Sequence, residues 1–145
     1  MKPSILLRIA AGLFAFFAVA HTAAMFAKPR GPAEELVLHG MRAYRFDVMG
    51  SSRTHWDFYR GEGWYLSLTG FLIAILLWQL ASASRSHPAA VRPVLWTMLA
   101  ASVVATVLNV VFFFIAPLVT SFGATVCIGL ALFGISKRVS AAPAA

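Results

Sequence analysis

Four residues within one short stretch, His55, Asp57, Tyr59 and Glu62, carry most of the chemistry this chain can offer, and His21 is the one imidazole inside a long apolar run. On a continuous helix His55, Tyr59 and Glu62 share a stripe at offsets of four and seven, and Asp57 occupies a neighbouring stripe with Arg60 three residues on. A carboxyl at Asp57 or Glu62 with a raised pKa, paired with His21 or His55 as proton partner, can protonate an alkene or a hydroxyl leaving group. Trp56, Tyr59 and Trp64 would wall such a site with aromatic surface. The same residues also have a plain structural reading. Asp57 is then a helix cap, Arg60 and Glu62 are interfacial charges, the aromatic residues are membrane anchors and His21 is a buried hydrogen-bonding group.

A metal is the third option, but His55 and Asp57 in a His-x-Asp step point about 200° apart on a helix, and no zinc or iron ligand spacing is present. Haem held by two intramembrane histidines is disfavoured because only His21 lies within an apolar run. No Gly-rich phosphate loop and no Ser/His/Asp or Cys/His order stands out, and no cofactor is implied.

The elements that must hold these residues are membrane helices. Of 145 residues 60% are hydrophobic and 12% charged, with a mean hydropathy of +0.80, more apolar surface than a soluble domain of this size can enclose. Residues 9–27 and 63–84 are each near the ~20 residues that cross a bilayer as a helix. The uncharged stretch between Arg92 and Lys137 is too long for one crossing, and Ala116-Pro117 divides it into spans over 94–115 and 118–136. The expected fold is all-α, a single domain over 1–145 forming a four-helix transmembrane bundle with a short helix between spans one and two.

All five acidic residues lie within 28–62, beside six of the twelve basic residues. The other six, Lys2, Arg8, Arg85, Arg92, Lys137 and Arg138, flank the spans with no acid nearby, which puts both termini in the cytoplasm and 28–62 outside. Trp56 and Trp64 at the start of span two, Trp78 near its end and Trp96 near the start of span three fit interfaces of that topology. The net charge of +7 is scattered at membrane edges and not stacked on a soluble face, so nucleic acid is not an expected partner. Ala18-Val19-Ala20 before His21 also satisfies a signal-cleavage pattern, although the apolar run continues through Ala27.

Within the outer segment, 33–48 reads as a helix with Leu36, Met41, Tyr44 and Val48 available for burial and Glu35, His39 and Arg42 grouped on one side. Met49-Gly50-Ser51-Ser52 ends it. Thr54 and Asp57 have capping-box spacing, so span two is expected to start near Thr54 and project beyond the lipid. Glu62 or Asp57 is the expected partner of His21. Ala101, Ala105 and Asn109, with Gly123, Cys127 and Ala131, repeat every four residues and permit close helix approach; Asn109 is either glue across the bundle or a ligand contact. Cys127 is the sole cysteine, a packing residue, and 140–145 reads as a frayed tail.

Phe46-Asp47-Val48-Met49-Gly50, then Arg53, Trp56-Asp57-Phe58-Tyr59 and Gly61, resembles a bacterial family of four-span membrane proteins without an assigned activity; His21 and Leu77-Trp78-Gln79-Leu80 extend the similarity over most of the chain. The resemblance supports the topology and singles out the outer segment, and the expected location is a bacterial cytoplasmic (inner) membrane. In architecture alone the chain is similar to emopamil-binding, sterol-isomerase-like and DoxX-like proteins, whose acidic site does not align, since Met25 stands four residues after His21. Two functions follow as expectations. One is an outward-facing His/carboxylate/aromatic pocket that binds, and by acid/base chemistry transforms, a hydrophobic or lipid-like small molecule in the bilayer. The other is a non-catalytic accessory or assembly subunit, docked on a larger membrane protein or on a second copy of itself.

Overall fold

The computed structural model describes residues 1–140. The element order is α1 (Pro3–Ala24), α2 (Pro32–Ala43), β1 (Arg45–Val48), β2 (Ser51–Thr54), α3 (His55–Ser86), α4 (Pro88–Phe112) and α5 (Ile115–Ser140). Among the described residues, α1, α3, α4 and α5 are long and apolar enough to cross a membrane, with mean hydropathies of 1.8 to 2.1 over their best windows. The fold is an all-α membrane bundle with one small hairpin. The tail expected over 140–145 lies, past Ser140, outside the described residues.

Charge ends a hydrocarbon crossing but does not end a helix, and this explains where the helices overrun the apolar runs. α1 begins at Pro3, not Ile9, because Pro is favoured in a first turn whose amides have no helical acceptor. Arg8 is accommodated by stacking its guanidinium 4.9 Å from the Trp78 ring centroid. α3 has 32 residues, roughly 48 Å at 1.5 Å per residue against a ~30 Å hydrocarbon core. It is longer than one crossing needs, and Asp57, Arg60 and Glu62 gather in its first turns.

Two sequence expectations are corrected. The third span ends at Phe112 and the fourth begins at Ile115, so the break is Phe113-Phe114 and not Ala116-Pro117. Pro117 sits in the first turn of α5, where its missing N–H costs no helical bond. The outer helix stops at Ala43, and Tyr44 to Val48 are not helical. Instead Arg45–Val48 pairs antiparallel with Ser51–Thr54 around a two-residue turn at Met49 (φ 50) and Gly50 (φ 79). Positive φ at both central residues is the type I′ geometry whose twist matches the flanking strands.

The chain forms two compact units, Ala18–Thr69 on the one hand and Met1–Phe17 with the chain from Gly70 onward on the other. The second unit has a core built of small and branched residues: Leu7, Ala10, Leu77, Ala81, Leu95, Ala124, Ile128, Ala131 and Ile135 are essentially inaccessible. On α5 the buried positions Ala124, Ile128, Ala131 and Ile135 follow helical spacing. Small residues permit the close backbone approach that dispersion needs where lipid supplies no hydrophobic drive. A Cβ on Gly134 would meet Pro3 Cγ at 3.0 Å, which places the start of α1 against the end of α5.

α4 is held to α5 by polar groups. Asn109 Nδ2 donates to Ser121 Oγ at 3.0 Å and to the Pro117 carbonyl at 3.3 Å, and the Thr106 and Thr125 hydroxyls lie 3.2 Å apart. Ala101 and Ala105, expected at a close helix contact, line a groove instead, while Thr106 and Asn109 turn toward α5. Many apolar side chains of α4 face outward, Val104, Val107, Val110, Val111 and Phe112 among them, as lipid contact requires.

Candidate functional site

The candidate site residues, Asn109 excepted, belong to the unit Ala18–Thr69. Its frame is the first part of α3, started by a reciprocal cap. The Thr54 amide donates to Asp57 Oδ2 at 2.9 Å and the Asp57 amide donates to Thr54 Oγ1 at 3.1 Å. The bond from the Thr54 amide, and after it the Thr54 hydroxyl acting on the carboxyl itself, hold the Asp57 carboxyl below the usual carboxylate range, with Arg53 and Arg45 adding to the effect. A lowered pKa favours the carboxylate and opposes the general-acid role that requires a raised one.

Successive faces of α3 then receive different neighbours. Arg60, Gly63, Trp64 and Ser67 recur at helical spacing and meet the end of α1 and the residues just after it, with Trp56 four residues before Arg60 on the same side. His21 Nδ1 lies 2.9 Å from Ser67 Oγ, Arg60 donates through Nη1 to the Met25 carbonyl, and Phe26 packs edge-on to Trp64 at 5.6 Å. A Cβ on Gly63 would collide with the Met25 thioether, so the absence of a side chain there lets Met25 cross α3. Ser67, 3% exposed, takes the place beside His21 where a carboxylate was expected.

Arg42, projecting from α2, lies 4.2 Å from the Trp56 ring centroid. Arg60 lies 5.8 Å from Trp56 and 5.5 Å from Trp64. Tyr59 stacks on Trp56 at 5.5 Å. The result is a pair of guanidinium groups backed by indole faces, a combination suited to a phosphate or carboxylate.

Another face of α3 carries a shallow groove of about 240 Å³ lined by Arg53, Asp57, Phe58, Gly61, Glu62 and Tyr65. It brings the two candidate carboxylates together, but not with His21: Glu62 and Ser67 are five residues apart, about 140° round the helix. His55 belongs to an aromatic stack, 6.0 Å from Tyr44 and 4.8 Å from Phe46, and Phe46 in turn stacks on Phe58 at 5.9 Å. His39 is exposed on α2. No three His, Cys, Asp or Glu side chains among the described residues stand close enough to hold a metal ion. Asn109 lies in the other unit, bonded to α5 as described.

Leu36 is 73% exposed and none of α2 is buried, contrary to the expected burial of Leu36 and Met41, while Tyr44 and Val48 fall outside the helix. A short amphipathic helix with its apolar residues uncovered has the composition of one lying at a membrane surface. Sequence reasoning also missed Ser67 and the roles of Arg42 and Arg60. Ser67 was recoverable, standing four residues after Gly63 and eleven after Trp56 on the same stripe, whereas the Arg42 contact depends on the intervening hairpin.

Comparison of the chain with known protein families, with curated proteins and with solved structures gives no match, so the functional reading rests on this geometry.

Proposed function

We propose that this protein binds an amphipathic, lipid-like molecule at its outer segment, holding an anionic head between Arg42 and Arg60. The observation that carries the reading is the convergence of both arginines on Trp56. An indole face orients a guanidinium; Arg60 gives Nη1 to the Met25 carbonyl and keeps its other N–H groups, and the Arg42 fork matches carboxylate or phosphate oxygens. The neighbouring Trp64 and Phe26 offer apolar surface for the tail. Binding is better supported than acid/base transformation. Asp57 is committed to the cap, and Glu62, the carboxyl left open to a ligand, faces away from the His21–Ser67 pair. In this reading the chain sits in a bacterial inner membrane, within the four-span family its outer segment resembles. The six unaccompanied cations keep both termini in the cytoplasm.

The experiment is native mass spectrometry of protein extracted in mild detergent, with the retained small molecules identified. The wild type should carry an anionic lipid-like molecule, and Arg42→Ala together with Arg60→Gln should weaken its binding about a hundredfold, roughly tenfold for each charge-assisted contact removed, with helicity unchanged. Full occupancy in the folded double variant would sink the proposal. The uncovered Leu36 and Val37 on α2 favour a second reading, an accessory subunit docked through that helix. A stoichiometric protein partner in the same spectra, lost on Leu36→Ser, would select it.

A further inference from the structure

A second groove, of about 460 Å³, opens between α3 and α4 in the other unit, lined by Ile73, Gln79, Ala83, Thr97, Ala101 and Ala105 among others. It lies along membrane-spanning helices joined through the single residue His87, with α4 drawn toward α5 by Thr106 and Asn109.

Three observations identify what fills it. The first is volume. The lining on α3 runs from Ile73 to Ala83, roughly 15 Å of helix. A groove of about 460 Å³ along that length, apolar apart from Gln79, Thr97 and Ser102, admits a hydrocarbon chain. The second is Gln79, which faces this groove, is exposed and makes no hydrogen bond among the described residues. It stands seven residues before the end of α3, roughly 10 Å along the axis, near the boundary between headgroups and hydrocarbon. An amide at that depth requires an acceptor or donor from a neighbour. The third is charge: Arg85 and Arg92 bracket the α3–α4 link, and Lys2, Arg8, Lys137 and Arg138 lie at the same helix ends with no acidic residue beside them.

We propose that this groove seats one acyl chain of an anionic glycerophospholipid, with Gln79 donating to its ester carbonyl and its phosphate at the basic end of the helices. The small residues Ala83, Ala101 and Ala105 line the trench, so the site exists only while these positions stay small.

The full-length protein is placed in nanodiscs of phosphatidylcholine containing a minority of phosphatidylglycerol, and lipids retained after ejection are counted by native mass spectrometry. The wild type should retain one phosphatidylglycerol, enriched about tenfold over its share of the disc. Ala101→Phe, which fills open space and not core, should abolish that retention without lowering the melting temperature. Gln79→Leu, which changes no packing, should reduce it several-fold. Arg42→Ala, in the other unit, should leave it unchanged and so separates this site from the one proposed above. Retention unaltered in both Ala101→Phe and Gln79→Leu, equal retention of the two lipids, or a dimer mass in place of bound lipid would each overturn the proposal.

Discussion

Asp57 and Glu62 show how one residue type takes two roles within a turn and a half of helix. Thr54-x-x-Asp57 was legible as a cap because the spacing alone brings both side chains to the first-turn amides, and the two bonds at 2.9 and 3.1 Å satisfy it. Thr54→Ala should cost about 1 kcal/mol of stability, read from unfolding in micelles, and an effect within error would remove the cap from the account. The Asp57 carboxyl, depressed chiefly by the bond it accepts from the Thr54 amide, contributes stability that is complete above the usual carboxylate range and is lost as pH falls through its lower folded-state value. An NMR titration should give Asp57 a midpoint below that range, whereas a raised midpoint would restore it as a candidate general acid. Ser67 beside His21 was not legible in this way, because forty-six residues separate them and only the packing of α1 on α3 brings them together.

At the scale of elements, long apolar runs reported the four spans reliably and boundaries less well. Pro117 misplaced the third boundary since proline breaks a helix interior but is tolerated in a first turn. The hairpin escaped notice because its turn is Met49-Gly50, not the Asn-Gly that advertises type I′ geometry. Met49 at φ 50 occupies a left-handed conformation that disfavours a bulky side chain. Met49→Asn should therefore stabilise the hairpin by about 1 kcal/mol, seen as slower amide exchange across the Phe46–Arg53 and Val48–Ser51 pairs, while exchange that is unchanged or faster would mean the turn is not under strain.

For the whole molecule, the α4–α5 contact depends on a polar seam inside the bilayer. Asn109→Leu removes bonds to Ser121 and Pro117, and should destabilise the bundle by roughly 0.6 to 1.7 kcal/mol, between the mean and the maximum for interhelical hydrogen bonds in membranes. A stabilised variant would instead mark Asn109 as kept for a ligand. Composition and charge were enough to define a membrane protein, its number of spans, its cap and the concentration of titratable groups in one segment, because these follow from local hydropathy and from helical periodicity. What required the tertiary structure was which groups meet. Arg42 reaches Trp56 across a hairpin, His21 finds Ser67, and Ala101 lines a groove where the sequence alone suggested a helix contact. A periodic pattern tells which residues share a face, but the neighbour each face receives is set by the crossing of helices distant in the chain.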